Sequence, residues 1–154
     1  MNERDRRLLQ VASASNWLAS VARKDKQLLR IEPYVYNTSM LALTTTAQAI
    51  IQVQADSDFA VIELSGAVLD NASKVTIVNP PITMQVTDSG SGKTFFNDYA
   101  LFSLVFGLAG FPYYTATPRI ISPGTNIIIN ANSLDGTSSD VYVTFSGVRL
   151  YYGG

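Results

Sequence analysis

The sequence predicts a mainly β protein: an antiparallel two-sheet sandwich preceded by a helical N-terminal arm. Three observations carry this reading. A helix-forming stretch with three-to-four-residue apolar spacing occupies the first 30 residues, short β-branched and aromatic runs follow from Pro33 onward, and polar turn clusters separate those runs. With 154 residues, 47% of them apolar, the chain has material for one domain plus an appendage without metals or disulfides. The expected division is a basic amphipathic helical arm over 1–32 and a β-sandwich domain over 33–154.

In the arm, Leu8, Val11, Ala12, Ser15, Leu18, Val21 and Ala22 recur on one face, and Ala14 and Trp17 widen the stripe. Asn2 or Asp5 is suited to cap the start, and the polar run from Arg23 to Gln27 interrupts the pattern before Leu28 and Leu29. One or two helices are expected through Arg30. Such a stripe stabilises a lone helix only weakly, so the arm is expected to dock onto something. Charge separates the same way. Residues 1–30 carry seven basic and three acidic groups, a net of +4, whereas residues 31–154 carry four basic and nine acidic groups, a net of −5. An arm of this kind suits an acidic surface on a like subunit or a different protein, which makes Arg4, Arg6, Arg7, Leu8, Val11, Trp17, Leu18 and Val21 its candidate partner-binding residues.

After Pro33 the candidate strands are Tyr34 to Met40, Ala47 to Gln54, Phe59 to Leu69, Lys74 to Val78, Ile82 to Thr87, Leu101 to Phe106, Arg119 to Ile121, Asn126 to Ala131 and Val141 to Tyr152. Period-two alternation is plainest where Val141, Val143 and Phe145 oppose Tyr142, Thr144 and Ser146. Turns are expected at Asp56 to Asp58, Asp70 to Ser73, Asp88 to Gly92, Pro123-Gly124 and Asp135 to Ser138. The stretch from Asn97 to Pro118 admits two readings, a long loop across the sandwich or a helical turn followed by a strand. Eight or nine strands are expected.

The chemistry-bearing residues point away from catalysis. Cysteine and histidine are absent, which removes thiolate nucleophiles, imidazole bases and the commonest zinc ligands. Gly90-Ser91-Gly92-Lys93-Thr94 resembles the end of a phosphate-binding loop, but position 87 is a threonine rather than the required glycine, and Phe95 and Phe96 follow instead of a helix start. A polar hairpin tip is the better reading. Asp56 and Asp58 read as solvated turn carboxylates, and alternation would put Glu63 on one face with Phe59 and Val61 and opposite Ile62 and Leu64. Only Lys74 and Lys93 are lysines within the sandwich, so a serine nucleophile lacks a base. No enzyme, cofactor or metal site is expected. Nucleic acid is disfavoured because an acidic sandwich repels the phosphates that the arm would attract. No apolar run reaches the ~20 residues that span a bilayer, and no signal-peptide core follows the N-terminal arginines, so no membrane contact is expected. Tyr34, Tyr36, Tyr113, Tyr114, Tyr151 and Tyr152 suit either sugars or protein contacts; Tyr113, Tyr114, Tyr151 and Tyr152 are the candidate partner-binding residues of the sandwich.

Three stretches carry a family likeness: Phe106-Gly107-Leu108-Ala109-Gly110-Phe111-Pro112, then Pro118 to Asn132 with its P-x-I-I-x-P-G turn, and the final strand from Val141 to Tyr151 with Gly147 before an aromatic end. Their order resembles that in jelly-roll capsid cement, or decoration, proteins of tailed bacteriophages. The resemblance implies a jelly-roll-like sandwich on the capsid exterior. It implies contact with the major capsid protein or another virion protein, assembly as a homo-oligomer (dimer or trimer), and no catalytic residues. The alternative is a collar, head-fibre or tail sandwich that binds a host glycan or receptor. The arm has no counterpart in the family pattern.

Overall fold

A computed structural model of the chain describes residues 1–14, 27–107 and 112–153. Helix α1 (Glu3–Ala14) is followed by β1 (Gln27–Leu43), β2 (Thr46–Gln52), β3 (Asp58–Asp70), β4 (Ile82–Asp88), β5 (Lys93–Thr94), β6 (Ala100–Leu101), the one-turn helix α2 (Phe102–Val105), β7 (Tyr113–Ile121), β8 (Asn126–Ser133) and β9 (Ser139–Gly153). The first sheet has strand order β1-β9-β3-β7, the second β2-β8-β4-β5 with β6 also on β4, and every pairing between these strands is antiparallel. First strand beside last, with the chain passing between the sheets at every step except from β4 through β6, is the wiring of a jelly roll.

The core lies between the sheets. Alternate residues of β9 (Val141, Val143, Phe145) and β8 (Ile127, Ile129, Ala131) meet Met84 and Val86 of β4 and Phe59, Val61 and Leu64 of β3, all buried. The period-two patterns of β4, β8 and β9 therefore close one continuous apolar layer against β3. A second, smaller cluster lies on the outer face of the first sheet, where Ala60, Ile62, Val148 and Leu150 are buried together with Leu8 of α1.

Four expectations are corrected. Residues 27–30, read as helix, begin β1, which runs across the expected 32/33 boundary, because the long β9 offers partners as far as Gly153 and Leu28 and Ile31 pack against the outer cluster. Lys74 to Val78 is a loop joined to β3 by one bridge, Leu69 to Thr76; Lys74 and Asn79 have φ of 58° and 49°, which an extended strand does not admit. Within Leu101 to Phe106, residues 102–105 are helical, so the second reading of that region holds: a helical turn and then a strand. The turn places Phe102 and Phe106 on one side, their rings stacked at 5.3 Å inside the core.

The fourth correction concerns Glu63. The pairing of β3 with β9 slips by one residue between Val61 and Glu63, a bulge that reverses the parity of the strand, and at the same place its partner in β7 jumps from Arg119 to Tyr114. Phe59 and Val61 face the core before it, Leu64 and Val68 after it, and Ile62 faces outward with Glu63 beside it under α1. Gly147 sits opposite, paired with Val61; a Cβ there would overlap the Ala60 carbonyl.

Candidate functional site

The arm is built onto the sandwich through α1. Asn2 caps the helix, its Oδ1 accepting from Asp5 N at 2.7 Å, and Glu3 and Asp5 occupy the first turn, where the helix dipole favours carboxylates. Leu8 is fully buried in the outer cluster, with Leu9, Leu28, Ile31, Ile120 and Tyr152 around it. Arg7 donates from Nε to Glu63 at 3.0 Å and lies 5.7 Å from the centre of the Tyr114 ring. Burial works against the Arg7 charge, but the Glu63 hydrogen bond and carboxylate outweigh it and raise the guanidinium pKa. Burial, then the Glu63 charge, raises that of the Tyr114 phenol.

Residues expected to reach outward on arm and sandwich thus meet each other: Arg7 with Tyr114, and Leu8 with Tyr152. Arg4 and Arg6 remain exposed, Arg4 in a loose 3.8 Å pair with Asp5. The Val11 side chain and residues Trp17, Leu18 and Val21 lie outside the described residues.

Tyr151 belongs to a ladder along the inner edge of β1 and β9. Its ring lies under the guanidinium groups of Arg30, at 4.0 Å, and Arg149, at 4.9 Å, and its hydroxyl donates to Glu32 at 3.1 Å. Arg149 also covers Tyr34 at 4.9 Å, and Tyr34, Tyr36 and Phe59 continue edge to face. Arg149 Nε donates to Ser57 at 2.9 Å and its terminal nitrogen pairs with Asp56; that hydrogen bond holds the Asp56 carboxyl below its ordinary range. Asp58, expected in solvent with Asp56, is buried at the start of β3. Three of the six tyrosines considered for sugars are therefore stacked within the chain. Tyr113 and Tyr114 are about half exposed and, being consecutive in β7, face opposite sides of the sheet.

At the end of the sandwich that carries the β1–β2, β3–β4 and β8–β9 connections, the surface is apolar. Val78 is 82% exposed, Leu104 67%, Leu41 64%, Val75 63% and Leu134 62%. A cleft of about 330 Å³ opens between the β3–β4 loop and α2, lined by Val68, Ile77, Val78, Pro80, Phe102 and Phe106 among others. Sequence reasoning missed this surface because most of these residues lie in runs that read as ordinary strands, where an apolar residue is expected to be covered.

Asp140 holds that end together. Nearly inaccessible to solvent, it accepts from Ala42 N at 2.9 Å, Asn71 Nδ2 at 2.8 Å and Lys74 Nζ at 2.6 Å, tying the β1–β2 turn and the β3–β4 loop to the start of β9. Asp70 braces the same loop by accepting from Ala72 N and Ser73 N. The Lys74 bond first, then those of Ala42 and Asn71, lower the Asp140 pKa to about 2. A lowered carboxylate pKa contributes stability that is present in full above its unfolded value, about 4, and lost as pH falls through the folded value. Asp140→Asn is therefore expected to lower Tm at pH 7, and the gap from wild type should close between about pH 4 and pH 2. A gap unchanged down to pH 2 in parallel thermal melts would contradict this role.

Among the described residues no group of three or more acidic side chains is placed to hold a metal ion, and no helix is long and apolar enough to cross a membrane. The Gly90 to Thr94 segment is the β4–β5 hairpin: Asp88 accepts from Gly90 N and Ser91 Oγ, and Lys93 pairs with Asp88 in the strand ladder.

No protein-family model matches the chain, and no curated protein matches its sequence. Among solved structures it is similar to a chain of the cyanophage Pam1 capsid asymmetric unit, at 17% identity over 80% of this chain and 85% of that one, with a TM-score of 0.43. It is also similar to the infectious bursal disease virus VP2 subviral particle, at 12% identity over 81% of this chain and 34% of that one, with a TM-score of 0.35. The strand wiring, rather than these distant likenesses, carries the fold assignment.

Proposed function

We propose that this chain is a non-enzymatic structural protein of a virus particle, decorating or cementing the exterior of a tailed-bacteriophage capsid by binding the major capsid protein and like subunits. The observation that carries the reading is the apolar end. Small soluble domains seldom leave several large aliphatic side chains together in water unless a partner covers them. Two of the connections that display them, β1–β2 and β3–β4, are tied down by Asp140, so little conformational entropy is lost there on docking. Jelly-roll wiring, which recurs in capsid domains, and the sequence likeness to capsid cement proteins name the class of assembly; both are arguments by analogy of fold and sequence style. Many copies on one particle turn a modest contact into high avidity when each is held in an oligomer.

Burying a valine or leucine side chain is worth about 1.5–3 kcal/mol, so Val78→Asp and Leu104→Asp should each weaken single-site attachment roughly tenfold to a hundredfold. Both residues are mostly exposed, and the thermal stability of the free protein should stay unchanged. Occupancy on purified particles stripped of the protein, read by quantitative gel and by cryo-electron microscopy, tests this. Wild-type density on the capsid exterior that is lost in the double variant is the expected result. Full occupancy by the double variant would remove the apolar end from the contact, and no wild-type density on the capsid would remove the capsid role.

A further inference from the structure

The outer face of the second sheet is unlike the rest of the surface. Its outward residues form rows across strands β2, β8 and β4: Thr46, Asn132 and Thr83; Gln48 and Asn130, with Gln85 beyond them buried and donating to the Phe96 carbonyl; Ile50, Ile128 and Thr87; then Gln52 and Asn126. None of them is charged. A solvated sheet face ordinarily carries lysine and glutamate among its outward positions, and the other sheet's outer face carries Glu63, paired with Arg7 of the docked α1.

We infer that this face is the contact between copies of the chain, packed on the same face of a second copy across a two-fold axis. Residues at the centre of such a contact lie beside their own symmetry mates, so a charge at the centre would meet a like charge. Amides and hydroxyls have no such penalty, because each carries both a donor and an acceptor and can bond to its own kind. Gln48 and Asn130 already do so within the chain, Nε2 to Oδ1 at 2.9 Å. The neighbouring pair Ile50 and Ile128, with Ile50 55% exposed, supplies an apolar centre, and the amide rows on either side supply a polar rim. Three strands roughly 4.8 Å apart and seven residues long at about 3.4 Å each give a flat face on the order of 300–400 Å² per copy. That is below the roughly 800 Å² per partner of a standard stable interface, so the pair is weak in dilute solution and is favoured where copies are crowded on an assembly.

This deepens the like-subunit contact of the proposed function and does not depend on the capsid partner. Sedimentation of the purified full chain over a range reaching hundreds of micromolar should show the mass rise from 16.7 kDa toward twice that value. Ile50→Lys, at a half-exposed site, should keep its circular dichroism spectrum and remain monomeric throughout at low salt. Because the chain has no cysteine, Ile50→Cys gives an independent readout: mild oxidation at high concentration should yield a covalent dimer faster than Tyr142→Cys, on the outer face of the other sheet. A wild-type monomer at every concentration, a dimer that survives Ile50→Lys, or equal cross-linking at the two cysteines would overturn the inference. Dimerisation through this face by a protein that does not occupy particles would leave the inference standing and overturn the capsid reading.

Discussion

Replacing Gly147 with alanine is expected to destabilise the protein by more than about 3 kcal/mol, beyond the usual range for adding a methyl group to a packed site. The new Cβ would overlap the carbonyl of Ala60, and its next neighbours are also backbone atoms of β3. Neither β9 nor β3 can turn a side chain aside, so the strands must part where the bulge sets the register of the first sheet. For a chain of this length the loss corresponds to roughly 6–12 °C in Tm, measurable by thermal or urea unfolding followed by circular dichroism. Gly92→Ala is the matching control: a Cβ there meets nothing within 4 Å, and the φ of 69° alone costs about 1–2 kcal/mol. Similar melting temperatures for the two variants would show that the strands relax around the methyl group.

Leu8→Asp is expected to undock α1 and to lower the stability of the whole chain by about 2–5 kcal/mol. The leucine is fully buried against Ala60, Ile62, Val148 and Leu150, and the introduced carboxylate would sit near Glu63, whose partner Arg7 lies one residue away on the same helix. Undocking should appear as fast amide exchange and protease cleavage within residues 1–14, while the β spectrum persists, because the main core lies between the sheets. An unchanged melting temperature together with lost attachment to particles would instead make the arm a partner-binding element. The exposed Arg4 and Arg6 lie off the sandwich's apolar cluster, and they are proposed as the arm's outward contacts.

The sandwich was legible because its signals are local. Alternation in Val141 to Phe145 places the same residues in the core that the structure buries, and the turns at Asp88 to Gly92 and Pro123-Gly124 are set by residues that bond their own backbone or accept positive φ. Local signals misled where the partner strand is distant. Lys74 to Val78 has the composition of a strand, yet it meets β3 only at the Leu69 to Thr76 bridge, beyond the part of β3 that β7 covers, and Lys74 reaches instead for Asp140, 66 residues away.

The sequence by itself determined the β class, the helical start, the main turn positions and the absence of thiol and imidazole chemistry, since each follows from composition or from spacing within a few residues. Only the tertiary structure decided the faces. A single extra residue at Ile62 reverses the parity of β3 and brings Glu63 outward to Arg7, and nothing within a few residues of Glu63 announces it. Which apolar residues remain in water, and which sheet face is free of charge, depends on pairings between distant segments, such as β2 with β8, whose partners lie 74 to 86 residues apart, because burial belongs to the assembled sheets rather than to any one strand.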